Sequence, residues 1–163
     1  MALSSDERKE LMSRYANGPA VLLAAWEAVP PELQKLRPAE DAWSAHEIIV
    51  HCADSETFAS TRIRLLISDP NPIIVGYDQD EWVHIFRYHD RRIDLALDTI
   101  RVVRANTVPV IEAMPEAAWS ATGSHTQSGR ITADDWLASY GVHLHDHADQ
   151  IAANVRSLQE AGQ

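Results

Sequence analysis

Apolar positions recur every three or four residues along four stretches of the chain, and each stretch closes on a helix-stopping sequence. In residues 5–29, Leu11, Tyr15, Leu22 and Trp26 share one side. Gly18-Pro19 interrupts that pattern and predicts a kink, because proline has no amide hydrogen to donate. Pro30-Pro31 then ends the helix. A second pattern opens at Ser44 with Glu47 three residues on, the spacing of a capping box, and runs to about residue 68 before Asp69-Pro70. Ile48, Cys52, Ala59, Ile63 and Leu66 fall on its inner face. After the loop DPNPIIVGYD comes a short helical turn near residues 80–86. A third long helix is expected from about residue 90, with Ile93, Leu97, Ile100 and Val103 inward; Pro109 should bend or shorten it and Pro115 should stop it. Residues 117–131, with Gly123, Ser124, Ser128 and Gly129, read as an irregular loop or small hairpin. The last helix runs from Thr132, with Asp135 at its third position, to about residue 159. Its stripe is Leu137, Tyr140, Leu144, Ala148, Ile151, Val155 and Leu158. Four amphipathic helices with little strand pattern predict an all-α four-helix bundle, with a short extra helix and loop between the second and third.

Composition narrows the class. The chain has 163 residues and a mass of 18.2 kDa, the size of one domain, and no internal repeat or linker divides residues 1–163. A formal net charge of −10 argues against nucleic acid or an anionic membrane as partner, since both reward a basic surface. No signal-like apolar segment opens the chain, and the run Ala20–Trp26 is far shorter than the roughly 20 residues that span a bilayer. A soluble, cytoplasmic protein is expected. The single cysteine, Cys52, excludes an intramolecular disulfide framework and multi-cysteine zinc sites. Eight histidines stand beside it, so any metal must be held mainly by nitrogen.

Placing those histidines on helices sorts them. His143 and His147 lie four apart on the last helix, separated by about 40° around the axis and one turn along it, so two imidazoles can converge on one ion. Both flank the apolar stripe. His145 points elsewhere, and the run HLHDH does not supply three ligands. His51 sits at the flank of the second helix's stripe, so two helices packed side by side can bring three imidazoles to one interior point. The alternative for each is a core-edge histidine bonded to a carbonyl or carboxylate. Ser55, Phe58 and Arg62 follow His51 at helical spacing and share its groove, while Trp136, Tyr140 and Gln150 flank the histidine pair. Arg62 is either an anion-binding group or a salt-bridge partner. Gln150 either orients a ligand imidazole or is solvated. Asp54 and Glu56 are candidate bases, although solvated helix carboxylates are the commoner outcome and the helix must turn to bring them near. Cys52 reads as a packing residue. His46, His84 and His89 join no cluster.

Three segments carry a resemblance to a known family. WSAHEIIVHCADSE with TRIRLLI (residues 43–67), the loop VGYDQDEWV with Trp82, and HTQSGRITADDWLASYGVHLHDHADQI resemble the DinB/YfiT-like four-helix bundles, in order and at matching separation. The resemblance implies an up-down-down-up bundle in which His51, His143 and His147 bind one divalent metal, nickel or zinc. It also marks Arg62 and His125 as positions where YfiT-like sequences are alike. Pro109 and the extra His145 depart from the pattern. The function implied is a metal-dependent hydrolase acting through metal-bound water on a small-molecule substrate. The alternatives are a transferase using a low-molecular-weight thiol and a non-catalytic metal-binding stress protein. Ser55, Arg62, His125 and Tyr140 are the candidate substrate contacts. A homodimer is compatible with what the family forms.

Overall fold

Three of the long helices begin in the same way. In the computed structural model of the chain, which describes residues 2–162, the side chains of Ser4, Ser44 and Thr132 each accept a hydrogen bond from the backbone three residues on. The carboxylates of Glu7, Glu47 and Asp135 reach back to close the box. Such caps contribute about 0.5–2 kcal/mol each, and they set where the helices start. The helices are α1 (Ser5–Glu27), α2 (Ala45–Ser68), α3 (Gln79–Ile85, capped by Asp78), α4 (Ile93–Glu112) and α5 (Ala133–Ala161). Strands β1 (Ile73–Ile74), β2 (Thr122–His125) and β3 (Gly129–Thr132) form a small sheet in the order β1-β2-β3, parallel then antiparallel. The hairpin foreseen in residues 117–131 is thus present. It closes on Gly129, whose φ of 77° is one that a residue with a Cβ adopts only under strain.

Contacts between side chains fix the direction of each helix. Arg8 near the start of α1 pairs with Asp134 near the start of α5, and His145 Nε2 meets the Arg14 carbonyl farther along, so these two helices run parallel. His46 meets the Arg91 carbonyl at the start of α4 and Arg64 meets Asn106 farther on, so α2 and α4 are also parallel. Arg62 contacts Tyr140 while His51 lies against His147, so α2 and α5 are antiparallel. The bundle is therefore the expected up-down-down-up. In cross-section α1 lies diagonally opposite α2, which leaves α2 beside α5.

The core is divided by a polar layer. One apolar cluster contains Leu22, Ile48, Cys52, Ile100, Leu144 and Ile151; the other contains Tyr15, Ala59, Ile63, Ile111, Trp136 and Leu137. Between them lies a buried ion pair, Arg104 Nη2 to Glu56 Oε1 at 2.6 Å, with side-chain exposures of 1% and 0%. Arg104 also donates to the carbonyls of Tyr15 at 2.5 Å and Tyr140 at 3.0 Å, and its guanidinium lies 4.0 Å from the Tyr15 ring centroid. The Tyr15 hydroxyl donates to Glu56 Oε2 at 3.3 Å. One arginine on α4 thus holds α1, α2 and α5.

This layer explains how α1 accommodates a proline, and it corrects the expectation for Glu56. Gly18-Pro19 lies inside α1, which continues to Glu27 as its apolar pattern predicted. Pro19 cannot donate to the carbonyl of Tyr15, four residues back, and Arg104 supplies the missing donor. A Cβ at Gly18 would collide with Arg104 Nη1, so the pair forms a notch for the guanidinium. Pro109 likewise lies inside α4 without ending it. Glu56, expected as a solvated helix carboxylate, is buried because its cation arrives from another helix.

Breaking a buried pair strands the surviving charge, at a cost of about 3–5 kcal/mol. Arg104→Met should lower the urea-unfolding free energy by that amount. Combining it with Glu56→Leu should recover part of the loss, and simple additivity of the two would contradict the pairing.

Candidate metal centre

The first turns of α2 are buried on every side, from Ala45 through Ala53, because α2 packs between α4, α5 and the segment that follows α1, whose Gln34 carbonyl accepts from the His46 backbone. That placement carries His51 to 2% exposure at the interface with α5. There it meets His143 and His147, and each of the three rings offers a nitrogen within 4.8 Å of those of the others. Ring centroids are 5.6 Å apart for His51–His143, 5.0 Å for His51–His147 and 4.6 Å for His143–His147. Trp43 covers His51, with ring centroids 4.7 Å apart.

Hydrogen bonding shows what the rings lack. His147 Nδ1 donates to Gln150 Oε1 at 2.8 Å, which leaves its Nε2 as a free lone pair. The Nδ1 atoms of His51 and His143 are buried with no hydrogen-bond partner among the described residues. Buried nitrogen without a partner is costly, and here two such atoms occur in one cluster of three imidazoles. Burial, reinforced by His147, pushes the His51 pKa down to about 3. Burial and then the neighbouring His147 and His51 push His143 well down as well, and burial lowers His147 against the opposing bond to Gln150. The rings are therefore neutral at pH 7, the form that ligates metals. An all-imidazole set fits a borderline divalent ion such as zinc or nickel.

The other candidates separate clearly. Ser55, Arg62, His125 and Tyr140 line one cavity of about 220 Å³ together with His51 and His143. Phe58 lies beside it, in an aromatic cluster with Tyr77 and Trp82. Trp136 is buried behind, its indole donating to the Ala59 carbonyl. Asp54 accepts from the Tyr88 hydroxyl at 2.8 Å and faces Arg91, away from the histidines. Glu56 lies 3.9 Å from His143 Nδ1 but belongs to the Arg104 pair. His145 and His46 are spent on backbone carbonyls of Arg14 and Arg91, and His84 and His89 are exposed. Tyr77, Gln79, Gln127 and Ser139 also line the cavity and escaped sequence reasoning. The first three come from loop or helix-start positions where no periodicity operates.

The family model for the DinB superfamily matches residues 14–151. The chain belongs to the DinB superfamily. A protein of Oceanobacillus iheyensis named "Putative metal-dependent hydrolase" is 27% identical over 111 residues, 68% of this chain. One of Halalkalibacterium halodurans with the same designation is 20% identical over 112 residues, 69% of this chain. The matches span 64% and 65% of those proteins' own lengths. YfiT from Bacillus subtilis, "a probable metal-dependent hydrolase with an unusual four-helix bundle topology", superposes with a TM-score of 0.89 over 97% of this chain and 91% of that one, at 18% identity. That similarity shows a shared fold. Among the described residues, no helix is long and apolar enough to cross a membrane.

The burial of His51 has a pH consequence. In the unfolded, metal-free chain an imidazole takes up a proton near pH 6.5, whereas folded His51 does so only near pH 3. Between those values the unfolded state binds more protons, so stability is full above about pH 6.5 and falls as the pH drops. The slope is about 1.4 kcal/mol per pH unit for each histidine so held. Urea unfolding with chelator between about pH 7 and pH 5 should show this loss, and His51→Gln should flatten it. An unchanged slope in the variant would contradict the assignment.

Proposed function

We propose that this protein is a divalent-metal-dependent hydrolase of small molecules, with His51, His143 and His147 as ligands to one zinc or nickel ion. The observation that carries the proposal is the convergence of three neutral imidazoles, two with buried Nδ1 atoms that no group among the described residues satisfies. A divalent ion held by these residues would supply a Lewis acid and would lower the pKa of water toward about 7.

The chain's own residues do the rest. Gln150 fixes the His147 ring through Nδ1, and Trp43 shields His51 from water. Ser55, Tyr140, Arg62 and His125 form the wall against which a substrate rests. His125 Nδ1 accepts from the backbone N–H groups of Gln127 and Ser128 at 3.3 and 3.2 Å. Its proton in the neutral ring is therefore on Nε2, and His125 serves as a donor rather than a base. Among the described residues no carboxylate lines this cavity, and Asp54 and Glu56 are committed to Tyr88 and Arg104. The lack of a carboxylate base favours a second reading, a transferase that uses a low-molecular-weight thiol, because a metal held by these histidines would deprotonate a thiol, which starts far more acidic than water, more completely and leave less for a base to do.

Metal analysis of the purified chain is the direct test. About one equivalent of zinc or nickel is expected, and His51→Ala, His143→Ala and His147→Ala should each remove most of it while His145→Ala should not. Equal loss in His145→Ala would overturn the ligand set. Added metal at about 100 times its Kd should stabilise the wild type by about 2.7 kcal/mol. Turnover of ester, amide and thiol-conjugation substrates, each with and without chelator, then separates hydrolase from transferase; metal without turnover on any of them marks a binder.

A further inference from the structure

The cavity beside the histidines has an unusual electrostatic composition. The chain carries 24 Asp and Glu side chains, yet among the described residues none lines it. Among the described residues that line it, the one charged side chain is Arg62. Among the described residues no carboxylate pairs with that guanidinium; Nη1 donates to the Tyr140 hydroxyl at 2.8 Å and Nη2 to the Val75 carbonyl at 2.6 Å. Its Nε is buried without a partner. An arginine has five N–H donors, so the protein leaves this one incompletely satisfied.

Aromatic packing holds the group in place. The guanidinium carbon lies 5.4 Å from the Phe58 ring centroid and 5.6 Å from that of Tyr77. A cation lying against two rings and tied at both Nη atoms has lost much of its rotamer freedom before any ligand arrives, which is the condition for binding a small anion without a large ordering cost. Neutral donors surround it. His125 carries its proton on Nε2, and the amides of Gln79 and Gln127 and the hydroxyl of Ser139 share the wall. Three neutral imidazoles at the other end leave a divalent ion its full charge. Both ends of the cavity therefore attract negative charge, in a protein whose net charge of −10 repels anions elsewhere.

We propose that the substrate carries an oxyanion, a carboxylate or a phosphate, which Arg62 receives while the reacting end faces the histidine triad. A cavity of about 220 Å³ limits it to a small molecule. The inference rests on the proposed metal centre only for where the reacting end lies; the Arg62 end stands on its own contacts.

Calorimetric titration of the zinc-loaded wild type with malonate, inorganic phosphate and the uncharged analogue malonamide tests this. At least one of the two anions should bind at least tenfold more tightly than malonamide, and which one does identifies the carboxylate or the phosphate source. Arg62→Met should lose at least tenfold in that affinity while retaining wild-type zinc content and melting temperature. Should that variant not fold, phenylglyoxal modification of wild-type Arg62, followed by peptide mass spectrometry, should slow at saturating anion and not with malonamide. Malonamide binding as well as both anions would overturn the proposal. So would a folded Arg62→Met that binds them like wild type, or an Arg62 that the anions do not protect. If the chain takes up no zinc, the same titration of the metal-free protein separates the two readings. Arg62-dependent anion binding there upholds this inference while the metal-centre proposal fails, and its absence overturns this one.

Discussion

The pair formed by Glu56 and Arg104 is the constraint on which the rest of the structure depends. Neither charge reaches water, so each needs the other, and the remaining donors of Arg104 need carbonyls. Those carbonyls belong to Tyr15 on α1 and Tyr140 on α5. A bundle held by apolar stripes alone can slide or rotate by a turn at small cost, because one leucine replaces another. A buried guanidinium with named partners on three other helices cannot. The same layer explains the odd features of α1, where Pro19 leaves a carbonyl without its helical donor and Gly18 clears space for the cation.

The candidate metal centre lies against this layer. Glu56 sits between Arg104 and His143, with Oε1 at 2.6 Å from the arginine and 3.9 Å from the imidazole. The register that satisfies the ion pair is therefore the one that places His143 opposite His51. Fold and site share a residue, and the precision of the site follows from a contact made for packing. The helix order matters equally. Because α1 lies diagonally opposite α2, α2 and α5 become neighbours, although 64 residues separate Ser68 from the start of α5 at Ala133.

Local signals on the chain were legible to the extent that local physics produces them. Capping boxes at Ser44 and Thr132 marked helix starts, and the four-residue spacing of His143 and His147 put two ligand candidates on one face. Arg104 gave no such signal, since an arginine on an amphipathic helix normally belongs to the solvated face. Its burial becomes intelligible only when Glu56 and two carbonyls from other helices surround it. Tyr77, Gln79 and Gln127 were hidden for a related reason: β1, β2 and the loops around them carry no period that aims a side chain.

By itself the sequence determined the helices, their caps, the apolar stripes and the pairing of two histidines on one helix face. These depend on neighbours within a turn or two, where backbone geometry dictates who meets whom. Only the tertiary structure decided that His51 completes the cluster, that Glu56 is a core anion, and that Arg62 faces a cavity without a carboxylate. Those outcomes turn on desolvation and on charges from distant segments, and neither quantity exists until the helices pack. Proline shows the difference most plainly. Within α1, Pro19 is a missing donor; in the folded bundle, the Tyr15 carbonyl it leaves unpaired accepts from Arg104.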